Sequence, residues 1–124
     1  MSFLEKGRQI IREMRGEEFL EKRDKARNTF NSVIQDYSDA VCFGQIWARP
    51  GLDRKQRALI VIAQLVALNR PVQLKNHLGG ALKLGFTVDE LQEILLQCAM
   101  YCGLPAAVEA FKVAEDVLRE HKLL

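Results

Sequence analysis

The chain contains two histidines, and one of them stands where chemistry is possible. His77 lies in Gln73-Leu74-Lys75-Asn76-His77-Leu78-Gly79-Gly80-Ala81, and imidazole is the side chain whose ordinary titration falls nearest neutrality. Gln73 precedes it by four residues, so on a helix the amide shares its face and can fix the ring tautomer. Gly80 and Ala81, three and four residues further on, leave the space beside the ring unfilled. A mid-helix glycine costs about 1 kcal/mol relative to alanine, so the Gly79-Gly80 pair points to a close helix contact or to a ligand. The same residues suit a core histidine beside a tight helix crossing, and the sequence alone leaves both readings open. His121, within Arg119-Glu120-His121-Lys122, belongs to a charged terminus and is read as solvated.

Arg54, Lys55 and Arg57 crowd the first turn of another expected helix, where the macrodipole disfavours cations. They suit either an anion site for carboxylates or a solvated basic face, and Arg57 stands nearest the apolar part of the helix. Cys98 and Cys102 share a helical face among Leu95, Leu96, Ala99 and Met100. A redox dithiol would have two intervening residues and a depressed thiol pKa, so these cysteines read as small core residues. One helical histidine without a second nearby ligand falls short of a zinc shell. Phosphate-cradling glycine loops and serine nucleophile elbows are absent from the sequence.

The elements that must position these groups are helical almost throughout, because the stretches between glycine and proline breaks follow a 3.6-residue period. The reading is residues 3–14 with Ile10, Ile11 and Met14 on one side, a longer amphipathic helix over 17–35, and a short apolar piece over 38–47. Arg49-Pro50-Gly51 then suits a turn. Asp53 and Gln56 read as a capping box opening a helix over 54–68. Pro71 opens one over 72–84, with Gly85 at its end. Thr87 and Glu90 cap another through Tyr101, and Gly103-Leu104-Pro105 precedes the last, to about Arg119. The 54–68 helix is apolar nearly all round from Ala58, which requires cover on every side.

At 124 residues the chain supports one domain spanning 1–124, and 48% hydrophobic with 27% charged residues excludes bulk disorder. Eighteen basic and sixteen acidic residues leave +2 with the signs interspersed, so nucleic acid is not an expected partner. The apolar runs fall short of the ~20 residues that span a bilayer, and the scattered charges of the first sixteen residues do not resemble an export signal. Three cysteines in apolar sequence suit a reducing cytoplasm.

Trp47-Ala48-Arg49-Pro50-Gly51-Leu52-Asp53 followed by Arg57, the histidine stretch with His77, Gly80, Ala81 and Gly85, and Glu90, Glu93, Tyr101, Gly103, Pro105, Ala106, Ala107, Ala110 and Phe111 together resemble the carboxymuconolactone decarboxylase family. The resemblance implies an all-α, AhpD-like fold of about six or seven helices that forms intertwined oligomers, often hexamers built as trimers of dimers. It also implies cofactor-free loss of CO2 from 4-carboxymuconolactone in aromatic-acid breakdown. Such a reaction needs no metal or cofactor: the electrons of the breaking bond delocalise into a conjugated lactone carbonyl, and the site supplies donors and an acid. On this pattern His77 is the acid and Gln73 orients it, Arg57 and Arg49 hold carboxylates, Trp47 walls the pocket, and Gln45 joins them in binding substrate.

Two positions depart from the pattern. The decarboxylases usually carry acidic residues where this chain has Gln45 and Gln73, and a neutral amide neither relays a proton nor raises a neighbouring histidine's pKa as an anion does. The AhpD-like branch carries Cys-x-x-Cys-x-x-x-His; counted back from His77, its cysteine positions fall on Arg70 and Gln73, and its glutamate position on Ala58. Two other functions are weighed against decarboxylation: peroxiredoxin or thiol redox activity through Cys98 and Cys102, and a non-catalytic small-ligand-binding oligomer of the same fold.

Overall fold

A computed structural model describes all 124 residues. The chain is all-α, with no strand: α1 (Phe3–Arg15), α2 (Glu17–Lys25), α3 (Ser32–Tyr37), a π-helix (Ser38–Trp47), α4 (Arg54–Ala67), α5 (Pro71–Lys83), α6 (Val88–Cys102) and α7 (Leu104–Glu120). It divides into two compact units, Met1–Asp53 and Arg54–Leu124.

In the first unit α1 begins with a capping box in which the Ser2 hydroxyl accepts from the Glu5 N–H and the Glu5 carboxylate accepts from the Ser2 N–H. That arrangement satisfies two of the donors a helix start leaves open. Ile10, Ile11 and Met14 form its buried stripe, as their spacing predicts. The single helix expected over 17–35 is instead two. Asn28 is the reason: its side-chain oxygen accepts from the N–H groups of Phe30 and Asn31, while Asn31 Oδ1 accepts from the Asn28 N–H. Such side-chain bonds offer the backbone an alternative to helical pairing, and the chain turns before α3 starts.

The apolar piece over 38–47 is a π-helix of ten residues, a rare i→i+5 geometry usually confined to single turns. It packs along α1 at two glycines. A Cβ on Gly7 would meet the Asp39 carbonyl oxygen at 1.7 Å, and one on Gly44 would meet the Phe3 carbonyl oxygen at 2.1 Å. Two helix backbones therefore touch directly, a contact only glycine permits.

In the second unit α4 packs on α5 and α6, and α7 packs on α5 and α6. Leu78 and Ile62 are fully buried, each side chain contributing about 1.5–3 kcal/mol. The stripe Ala107, Ala110, Ala114 and Val117 lets α7 approach its neighbours closely. Helix ends are set locally. Gly85, at φ +99, closes α5 with Phe86 N–H donating to the Ala81 carbonyl and Gly85 N–H to that of Leu82, a Schellman motif. Asn69, at φ +55, ends α4 the same way through Arg70 and Leu65. Thr87 and Glu90 form the expected capping box of α6.

The 54–68 stretch required cover all round, and this unit supplies only part of it. Ala58, Ile62 and Val66 are buried, whereas Leu59, Ile60 and Leu68 remain exposed, as do Leu96, Met100 and Tyr101 on α6. Tyr101 is 86% exposed, so an extensive apolar face of this unit meets solvent in a single chain.

Candidate functional site

Within the second unit, α5 is a continuous α-helix from Pro71, so Gln73 and His77 stand one turn apart on one face. The helix turns Leu74, Leu78 and Ala81 into the core, which leaves Gln73 exposed and His77 half-buried. Half-burial leaves the imidazole reachable by a small molecule, yet partly shielded from water. The two glycines after it differ. Gly80 is buried, but a Cβ on Gly79 would meet nothing within 4 Å, so close packing does not account for Gly79.

Arg57 is half-buried on the first turns of α4, beside buried Ala58. Of the three cations at that helix start, Lys55 has an aromatic partner that spacing could not show, its Nζ lying 4.8 Å from the centre of the Phe86 ring. That cation–π contact offsets the unfavourable dipole.

Cys98 and Cys102 line an open groove of about 410 Å³ with Leu59, Ala63, Ile94 and Tyr101. Cys98 is buried, and burial, reinforced by Cys102 alongside, pushes its thiol above the ordinary range. A thiol held protonated is a poor nucleophile, which agrees with the reading of Cys98 as a packing group; Cys102 is half-buried.

In the first unit, the π-helix carries Gln45, exposed, and Trp47, 6% exposed, while Arg49 follows its end, also exposed. The Trp47 ring stacks on Phe43 with centroids 5.5 Å apart, and its indole N–H donates to the sulfur of Cys42. Residues 42 and 47 are five apart, the separation that a π-helix brings into line. An ordinary helical period would not have revealed that pair.

Sequence reasoning also passed over Asp39. It is wholly buried, the one acidic residue of the apolar 38–47 piece. Its Oδ2 is bonded by the guanidinium of Arg23 and lies 3.8 Å from that of Arg8, which also pairs in two-pronged fashion with Asp24 at 3.0 and 2.7 Å. The signal was available: buried charges occur where partners exist, and a lone Asp in an apolar helix calls for them.

Comparison with known proteins places the residue pattern. Residues 34–116 match the model of the carboxymuconolactone decarboxylase family. The chain is 38% identical over 114 residues to a 4-carboxymuconolactone decarboxylase of Acinetobacter baylyi, covering 92% of this chain and 85% of that protein. It is 30% identical over 116 residues to a nitrosuccinic acid decarboxylase of Metarhizium robertsii, covering 94% and 81%. An uncharacterized 15.0 kDa protein of Paracoccus denitrificans is 38% identical over 81 residues, covering 63% and 60%. A family match across most of the helices, joined to relatives aligned over nine-tenths of the sequence, means that the chain belongs to the carboxymuconolactone decarboxylase family.

Proposed function

We propose that this protein is a carboxy-lyase that removes CO2 from 4-carboxymuconolactone or a related small cyclic carboxylate in aromatic-compound breakdown. The observation that carries the reading is the alignment, over 92% of the chain, with a 4-carboxymuconolactone decarboxylase. A second decarboxylase relative supports the reaction type. In the proposed step the carbon–carboxylate bond breaks and its electron pair moves into the conjugated lactone carbonyl. The resulting enolate then takes a proton at carbon. His77 delivers that proton, and Gln73, one turn earlier, orients the ring through its amide. Arg57 and Arg49 bind the substrate carboxylates by charge-assisted hydrogen bonds, Trp47 supplies an apolar wall and Gln45 a neutral polar contact. The reaction draws on no cofactor, because the substrate is its own electron sink.

The working form we propose is a cytoplasmic homo-oligomer, a hexamer built as a trimer of dimers. The exposed Leu59, Ile60, Leu96, Met100 and Tyr101 support self-association, and three free cysteines support a reducing compartment.

The test is to incubate the purified protein with 4-carboxymuconolactone and follow CO2 release for wild type and His77→Ala. Loss of a general acid lowers the rate by about 10²–10⁴-fold. Wild type without activity, or a variant as fast as wild type, would reject the proposal.

A further inference from the structure

We propose that Asp39 is a positioning residue whose buried carboxylate locks the π-helix against α1 and α2, and thereby sets where Gln45 and Trp47 stand. Its bearing on catalysis rests on the decarboxylase reading above. Three observations within the first unit converge on this residue. Its carboxylate is wholly buried and held by Arg23 from α2 and Arg8 from α1. Its carbonyl oxygen is the atom against which Gly7 of α1 is pressed, and a Cβ on Gly7 would also meet Gly44 N, five residues on from Asp39, at 3.0 Å. The residues that follow on the same helix include the Cys42–Trp47 pair and Gln45.

A ten-residue π-helix competes with an ordinary α-helix of the same sequence. Slipping from i→i+5 to i→i+4 pairing would rotate each successive residue further and turn Trp47 away from its present direction relative to Asp39. Apolar packing discriminates weakly between the two registers, since this segment is apolar on several sides. An ion pair discriminates strongly, because the wrong register parts a wholly buried carboxylate from the half-buried guanidinium that neutralises it. Oδ1 of Asp39 and Nε of Arg23 are buried without hydrogen bonds, so the Oδ2 contact carries the pairing. A site is only as well positioned as the groups that support it, and Asp39 is the support at the head of this helix.

The test uses the full-length chain with Asp39→Asn, which keeps shape and removes charge. Trp47 is the only tryptophan, so its emission reports the π-helix directly. Labelling of Cys42, quantified on its own peptide by mass spectrometry, reports the neighbouring turn. The expected result is a red-shifted Trp47 emission, an altered Cys42 labelling rate as the indole N–H leaves its sulfur, and kcat lowered about 10- to 100-fold with a smaller change in KM. Leu20→Ala, a buried change on α2, serves as the stability control and leaves the native-state emission and labelling at wild-type values. Should Asp39→Asn not fold, Arg23→Lys, which keeps the charge but loses the planar fork, is expected to move the same readouts in the same direction. Wild-type emission and labelling in the folded variant, or equal shifts in Leu20→Ala, would overturn the proposal. Absence of decarboxylation by the wild type would instead count against the reaction reading, and the two spectroscopic and labelling readouts would still decide whether Asp39 sets the helix.

Discussion

Replacing Gly7 by alanine tests the backbone contact on which the first unit is built. The new Cβ would lie 1.7 Å from the Asp39 carbonyl oxygen, 2.6 Å from its carbon and 3.0 Å from Gly44 N. Ordinary contact starts near 3.4 Å, so α1 must retreat by about 1.7 Å, and no flexible side chain stands in between to absorb the shift. A gap of even 0.5–1 Å forfeits a quarter to a half of each dispersion contact, and Ile10, Ile11 and Met14 depend on that same approach. Overpacking costs about 1–3 kcal/mol and occasionally more; an overlap this deep against backbone stands at the upper end, about 3–4 kcal/mol, from which alanine returns about 0.5–1 kcal/mol of helix propensity. The net expectation is destabilisation by about 2–4 kcal/mol. Gly79→Ala is the internal control: its Cβ meets nothing within 4 Å, so it should stabilise by about 0.5–1 kcal/mol. Urea unfolding followed by Trp47 fluorescence and by far-UV circular dichroism measures both. If Gly7→Ala unfolds within about 0.5 kcal/mol of wild type, the close crossing of α1 and the π-helix is refuted.

Three further outcomes are expected. Gln73→Glu places a carboxylate one turn before His77, which favours the imidazolium, so the basic limb of the decarboxylation pH profile should move upward; an unmoved limb would show that the two side chains do not communicate. The carboxyls of Asp24 and Asp36 are held below their ordinary 3.8, chiefly by hydrogen bonds from Arg8 and Arg27 respectively. Folded pKa values below the unfolded ones stabilise above the unfolded value and lose that contribution as pH falls through the folded values. Stability should therefore decline below about pH 4, less steeply in Arg8→Met and Arg27→Met, as read from urea midpoints against pH. Cys98, with its thiol pushed up by burial, should resist iodoacetamide at pH 7 until the chain unfolds; rapid alkylation in the native state would contradict its protonated, packed role.

What could be read from the sequence was whatever short-range chemistry determines. Thr87 with Glu90 and Gly85 beyond α5 involve residues a few positions apart, so the start of α6 and the end of α5 follow from residue type alone. The stripes Ile10, Ile11, Met14 and Ala107, Ala110, Ala114, Val117 follow from helical period. Family membership was legible too, because the motif residues from Trp47 to Phe111 stand in a fixed order and spacing, and period alone put Gln73 and His77 on one face. The tertiary structure decided the rest. Nothing local distinguishes a π-helix from an α-helix over Ser38–Trp47; its register is chosen by α1 pressing Gly7 onto the Asp39 carbonyl and by Arg23 reaching from α2. The Cys42–Trp47 contact spans five residues, the spacing that this register aligns. The same holds for the break between α2 and α3, where two asparagine side chains outcompete a helical pattern, and for Lys55, whose aromatic partner lies thirty-one residues away at Phe86. Periodicity reports which face of a helix is apolar; it carries no information about which distant backbone or charge will be pressed against that face, and that is where the shape of this first unit was settled.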